Sequence, residues 1–138
     1  MDKQRKKFLN YYGDPETTDI AEMHHKFWNN VTLNPRPGSR DDILARVDFI
    51  QEELDELREA TMRGDFLEVI DALVDIVVVA KGTAVMIGIP WRTHWNEVHR
   101  ANMSKEVGQN KKRPDMPFDL IKPPGWMGPD HLSILKGQ

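Results

Sequence analysis

Apolar residues recur every three or four positions over most of this chain, and no strand-like alternation of useful length occurs. That period is helical, and it predicts four helices. The first spans Asp19 to Asn29, with Ile20, Met23, Phe27 and His24 on one side. Residues 34–39 read Asn-Pro-Arg-Pro-Gly-Ser and form a loop, because prolines remove donors and fix the backbone. Ser39 to Asp42 offers cap chemistry for a second helix, running from about Asp42 to Met62. Its seam is Ile43, Val47, Ile50, Leu54 and Leu57, spaced four, three, four and three. Gly64 ends it in a left-handed position.

The third helix runs from Asp65 towards Met86, with Gly88 as its stop. It is apolar nearly all round, from Leu67 and Val69 to Val79. A valine-rich run also suits a buried strand. This one is too long for a single strand, and its acids recur at three and four rather than two. A helix apolar on every side has to be surrounded, and three other helices in a short chain cover it poorly. The expected fold is therefore an all-α, homo-oligomeric helical bundle. A tetramer is preferred over a dimer, built as two dimers sharing the third helices. The fourth helix opens at Ile89-Pro90 and runs through Trp91, Trp95, Val98 and Met103 to about Lys105. From Gly108 the last 31 residues hold five prolines and four glycines. They read as an irregular tail with a short apolar end at Leu132, Ile134 and Leu135. The expectation is one domain over 1–138, helical over about 19–106, with a tail over 107–138.

Composition narrows the function. The 138 residues are 39% hydrophobic and 30% charged, which leaves a thin core for a lone chain. Net charge is −3, without the basic footprint of a duplex binder, and Lys111-Lys112-Arg113 reads as solvated, so a nucleic-acid partner is not expected. The absence of cysteine excludes disulfide scaffolds and thiolate metal sites, and suits a reducing cytosol. The charged N-terminus is not followed by a long apolar run, so no secretory signal is expected there. The most apolar run, Val69 to Ile89, is interrupted by Asp71, Asp75 and Lys81, so no membrane span is expected. The expected location is the cytoplasm, or the host cytoplasm if the source is viral.

Those interrupting acids carry the chemistry. Helix two holds Glu52, Glu53 and Glu56, and helix three holds Glu68, Asp71 and Asp75 at spacings of three and four. Each residue turns a helix by about 100°, so each set forms one stripe. An acidic run by itself is usually a solvated face. On a helix that must be buried, unpaired acids are costly. Arg46, Arg58, Arg63 and Lys81 are near in sequence and offer neutralisation. Facing acidic stripes fit hard divalent cations better, since Mg²⁺ takes oxygen ligands and bridges carboxylates to phosphates.

The pattern Glu52-Glu53-Leu54-Asp55-Glu56, then Glu68-Val69-Ile70-Asp71 after a gap that Gly64 tightens, resembles the signature of the MazG-like all-α nucleoside triphosphate pyrophosphohydrolases. Relatives of that family are phosphoribosyl-ATP pyrophosphohydrolase and the dimeric dUTPases. The segments Asp71–Ile76 and Gly82-Thr83-Ala84 resemble the third helix of small phage members. Glu97–Lys105 resembles their fourth, and Glu22–Phe27 their first. The resemblance implies that Glu53, Glu56, Glu68, Asp71 and Asp75 hold two or three Mg²⁺ ions, with Mn²⁺ as a substitute. It implies that Asn102 and Lys105 meet the triphosphate. Glu52 is the first candidate to accept the proton of the attacking water, and Asp75 the second. The implied reaction is hydrolysis of a (d)NTP to the monophosphate and pyrophosphate, in nucleotide-pool control or phage DNA precursor supply.

Base recognition has to come from elsewhere. His24, Phe27 and Trp28 are candidates for flanking the base, with Asn29 and Asn30 adding amide groups; core packing is the competing reading for Phe27. A guanine nucleotide is the narrow expectation, because histidine and amide edges can read O6 and N7. His24, His25, His94 and His99 do not form a coherent transition-metal set. Trp126 either covers a pocket or staples the tail. Two other functions compete: phosphoribosyl-ATP hydrolysis, and a non-catalytic helical interaction module whose acids are surface charge.

Overall fold

The structure, a computed structural model, describes residues 1–137, and the chain forms two compact units, Met1–Trp91 and the residues from Arg92 onward. Among the described residues there are six helices and one pair of short strands, so the all-α expectation holds with two helices and two strands more than the hydrophobic pattern predicts.

The first unit contains α1 (Lys3–Tyr12), α2 (Pro15–Phe27), α3 (Arg40–Arg63) and α4 (Phe66–Ile87). Helix α1 was not predicted. Its first five residues are polar, which hides the pairing of Phe8 with Tyr12 one turn later. Its local signals are nonetheless clear: Asp2 accepts from the Arg5 N–H at 2.7 Å, and Gly13 closes the helix at φ 83°. Helix α2 begins four residues before the predicted start, because Asp14 caps it and Pro15 occupies its first turn. Phe8, Tyr12, Ala21 and Val85 form the buried core, with Tyr11, Ile20, Val31 and Leu33 packed against it. Phe27 is not part of that core. It is 63% exposed, because α2 ends there and Asn29 turns the chain at φ 48°.

Helices α3 and α4 follow the sequence reading closely. Ser39, Gly64, Asp65 and Gly88 stand as their caps. The two helices run antiparallel: a tight turn at Gly64-Asp65 joins them, and Ile43 and Ile87 meet at the other end, beside Gly38. The residues of α3 turned inward are Ile43, Arg46, Ile50, Glu53, Leu57 and Ala60, while Val47 and Leu54 of the predicted seam face outward. Leu67, Ile70, Leu73, Val74 and Val77 of α4 are also exposed in the chain by itself. The surroundings that α4 was expected to need are therefore not all supplied by its own chain. The loop after α2 is tied to the end of α4 by Thr32 N–H to Val85 O (3.2 Å) and Arg36 N–H to Ile87 O (3.0 Å).

The second unit is built on α5 (Trp91–Met103). The predicted irregular tail is more ordered than its composition suggests. Strands β1 (Glu106–Gly108) and β2 (Asp119–Ile121) pair antiparallel, and α6 (His131–Lys136) follows a cap at Asp130. The Arg113 guanidinium grips the buried Asp119 carboxylate and ties the long turn between the strands. Trp126 donates its indole N–H to Ala101 O at 3.0 Å, which is the stapling role. No single helix among the described residues is long and apolar enough to cross a membrane.

Candidate active site

The turn at Gly64 brings the acidic stripes of α3 and α4 together. Glu53 interacts with Glu56, Asp75 and Asp71, and Asp75 with Asp71 and Glu56. Desolvation first, and then these neighbouring carboxylates, raise the proton affinity of both Glu53 and Asp75. One oxygen of Glu53, Oε2, is buried with no hydrogen-bond partner. Glu52 and Glu68 are exposed, and neither is among the carboxylates that act on Glu53 or Asp75. Glu68 sits in the first turn of α4, where its N–H is capped by Asp65.

Among the described residues no Lys or Arg pairs with Glu53, Glu56, Asp71 or Asp75. The four cations near in sequence do other things. Lys81 is buried against Asp14 at 3.1 Å and Glu16 at 3.4 Å. Arg46 donates to Thr83 Oγ1 and Val79 O, both at 3.1 Å. Arg63 lies 3.9 Å from Asp65, and Arg58 is exposed. The neutralisation offered by sequence proximity is therefore absent from this group. An all-oxygen donor set with a buried, unpartnered carboxylate oxygen fits a hard divalent cation. The set is gathered but not closed: among the described residues no three His, Asp or Glu side chains form a ready metal-binding group.

His24 is buried, and its Nδ1 lies 3.0 Å from Asn30 Oδ1. Burial most of all, and then the Arg46 charge, hold its imidazole below the ordinary histidine range. Trp28 lies edge-on to His24, with centroids 4.9 Å apart, and is 57% exposed. Phe27 packs beside Trp28. These three predicted residues are thus neighbours, with His24 inside and two aromatic faces outside. Sequence reasoning gave Arg46 only a neutralising role and gave Gly82 none of its own. Their signal was weak: a glycine in the middle of a long apolar helix.

Asn102 and Lys105 belong to the second unit. Asn102 is exposed at the end of α5, and its carbonyl accepts the Lys105 N–H at 3.1 Å. The Lys105 and Lys122 ammonium groups lie 5.5 and 5.0 Å from the centre of the Trp126 ring.

An all-α fold whose paired helices gather unneutralised carboxylates agrees with the class that the family match establishes, the MazG-like nucleotide pyrophosphohydrolases. Within it, a model of the phosphoribosyl-ATP pyrophosphohydrolase family matches residues 20–102, more than half of the chain, and the protein belongs to that family. The match runs from α2 to Asn102 and includes every acid of both stripes. No curated protein is significantly similar in sequence. Family membership makes the activity a pyrophosphohydrolase-type reaction on nucleotides.

Proposed function

We propose that the protein hydrolyses a nucleoside triphosphate to the monophosphate and pyrophosphate, in a Mg²⁺-dependent reaction at the acidic group between α3 and α4. One observation carries the reading: four mutually repelling carboxylates stand together with no Lys or Arg partner among the described residues, and one oxygen of Glu53 is buried unpartnered. Glu53, Glu56, Asp71 and Asp75 would hold the metal, and Glu68 joins them on the strength of the family motif. Bound Mg²⁺ supplies charge neutralisation on the phosphate oxygens and a more acidic water. A water oxygen bonds to the α-phosphorus, the α–β bridge breaks, and pyrophosphate leaves. The water proton passes to a carboxylate. Glu52 and Asp75 are the two candidates for that carboxylate, Asp75 standing within the group and Glu52 exposed beside it in sequence. Asn102 and Lys105 keep the triphosphate role that the motif implies. A second copy of the chain would cover the exposed apolar faces of α3 and α4, with a tetramer as the expected assembly.

The test is product analysis with a (d)NTP panel and Mg²⁺ or Mn²⁺, quantifying monophosphate and pyrophosphate together. Equimolar products that vanish with chelator support the proposal. Turnover of phosphoribosyl-ATP alone would move the substrate. Inertness towards every triphosphate, with no metal-linked rise in melting temperature, would leave a helical interaction module instead.

A further inference from the structure

We propose that Arg46 reads the nucleobase of the substrate and selects a purine that presents an oxo group beside N7, which is guanine. The inference rests on the pyrophosphohydrolase reading above and deepens it.

Arg46 and Glu53 are seven residues apart on α3, so they share a face and are separated by about 10 Å along the axis. Its partners on α4 continue the stripe that carries Asp75: Val79 is one turn further on, and Thr83 two. Arg46 and the carboxylates thus lie along the facing sides of α3 and α4, with Ile50 between Arg46 and Glu53. Their separation is of the order of the reach from a nucleotide's α-phosphate to the far edge of its base.

The guanidinium end is built for a fixed pose. Gly82 lies in the interior of α4, where glycine weakens a helix. A Cβ there would lie 2.5 Å from Arg46 Nη2 and 2.6 Å from His24 Nε2. The bare backbone is what lets both nitrogens converge. Arg46 is clamped through Nε to Thr83 Oγ1 and through Nη2 to Val79 O, with the Phe49 ring 5.6 Å away. Those two bonds leave Nη1 outside them. Arg46 is half-buried, yet no carboxylate pairs with it among the described residues. A desolvated guanidinium without a counter-charge favours a ligand rich in acceptors.

His24 acts as a positioning residue. Asn30 Oδ1 accepts from Nδ1–H, so the Nε2 lone pair faces the guanidinium and Gly82. Trp28, edge-on to His24 and more than half exposed, offers a face for stacking at the rim. Guanine presents O6 and N7, the acceptor pair that arginine meets bidentately. Adenine places an amino donor at the same position, donor against donor.

The experiment compares kcat/KM for dGTP, dATP, dITP and 7-deaza-dGTP in the wild type, Arg46→Gln and Gly82→Ala. The wild type should prefer dGTP and dITP over dATP by about tenfold or more, a preference carried by KM, and lose part of it with 7-deaza-dGTP. Both variants should collapse the dGTP/dATP ratio towards one. The analogue series needs no variant, so the proposal is testable even where a substitution prevents folding. A wild type indifferent to O6 and N7, or an Arg46→Gln variant with its ratio unchanged, overturns the base-reading role while leaving hydrolysis intact. A wild type inert towards all triphosphates overturns the parent reading as well.

Discussion

Lys81→Met removes one end of a buried ion pair while keeping most of the side-chain volume. Lys81 Nζ lies 3.1 Å from Asp14 Oδ2, and the two side chains are 9% and 8% exposed. At an effective dielectric near 20, that separation corresponds to an attraction of about 5 kcal/mol, offset in part by desolvation of both ions. The Glu16 arm, at 3.4 Å with an 81% exposed carboxylate, adds at most about 1 kcal/mol. In the variant Asp14 stays buried, held by the Thr17 N–H at 2.9 Å and hydroxyl at 3.0 Å, and its Oδ1 already lacks a partner. The expected loss is about 3 kcal/mol, or a melting temperature lower by about 10 °C at fixed protein concentration. Asp14→Asn/Lys81→Met should recover much of it, since asparagine also caps a helix and carries no charge. The hydrogen bonds of Thr17 and the charge of Lys81 outweigh desolvation and hold the Asp14 carboxyl below its ordinary value of 3.8. A depressed acid stabilises above its unfolded pKa and loses that contribution as pH falls through the folded one. The gap between wild type and Lys81→Met should therefore persist at neutral pH and close below about pH 4. Denaturant melts of the wild type, Lys81→Met, Asp14→Asn and the double variant measure this. A loss under about 1 kcal/mol, or a double variant no better than Lys81→Met, would refute the buried-pair argument.

Glu53→Gln should abolish turnover and, without divalent metal, melt at or above the wild-type temperature, because the amide relieves repulsion from Glu56, Asp75 and Asp71. Mg²⁺ at a hundred times its Kd should stabilise the wild type by about 2.7 kcal/mol and the variant far less, read by thermal melts. Gly64 and Gly88 both have positive φ, but a Cβ at Gly64 meets nothing within 4 Å, whereas at Gly88 it would lie 2.4 Å from Asn34 O. Gly64→Ala should cost about 1 kcal/mol and Gly88→Ala clearly more; equal losses would remove the steric account of Gly88. Leu73→Glu, at an exposed apolar position of α4, should reduce the assembly measured by light scattering. A monomeric wild type would end the oligomer proposal.

Helices α3 and α4 were legible to within about two residues at each end, because their information is local: a period of three and four, a capping Ser39, and glycines at 64 and 88. The acidic motif was legible for the same reason, since spacing alone puts Glu53 with Glu56 and Asp71 with Asp75. Helix α1 was missed because its polar start outweighed the Phe8–Tyr12 pair. The strands at 106–108 and 119–121 were missed because three residues are too few to alternate.

What the sequence determined by itself was the run of long helices from α2 to α5 and the spacing that groups the acids on α3 and α4. Both follow from backbone geometry that repeats every few residues. What only tertiary structure decided was who partners whom. Lys81, near the acids in sequence, pairs instead with Asp14 from the far end of the first unit. Arg46 turns to α4 and converges with His24 over Gly82, and Phe27 turns outward. Charge pairing depends on distance in space and on desolvation, and neither is encoded in a short window of residues. Among the described residues the carboxylates of α3 and α4 are left without a Lys or Arg of their own because the fold spends the nearby ones elsewhere.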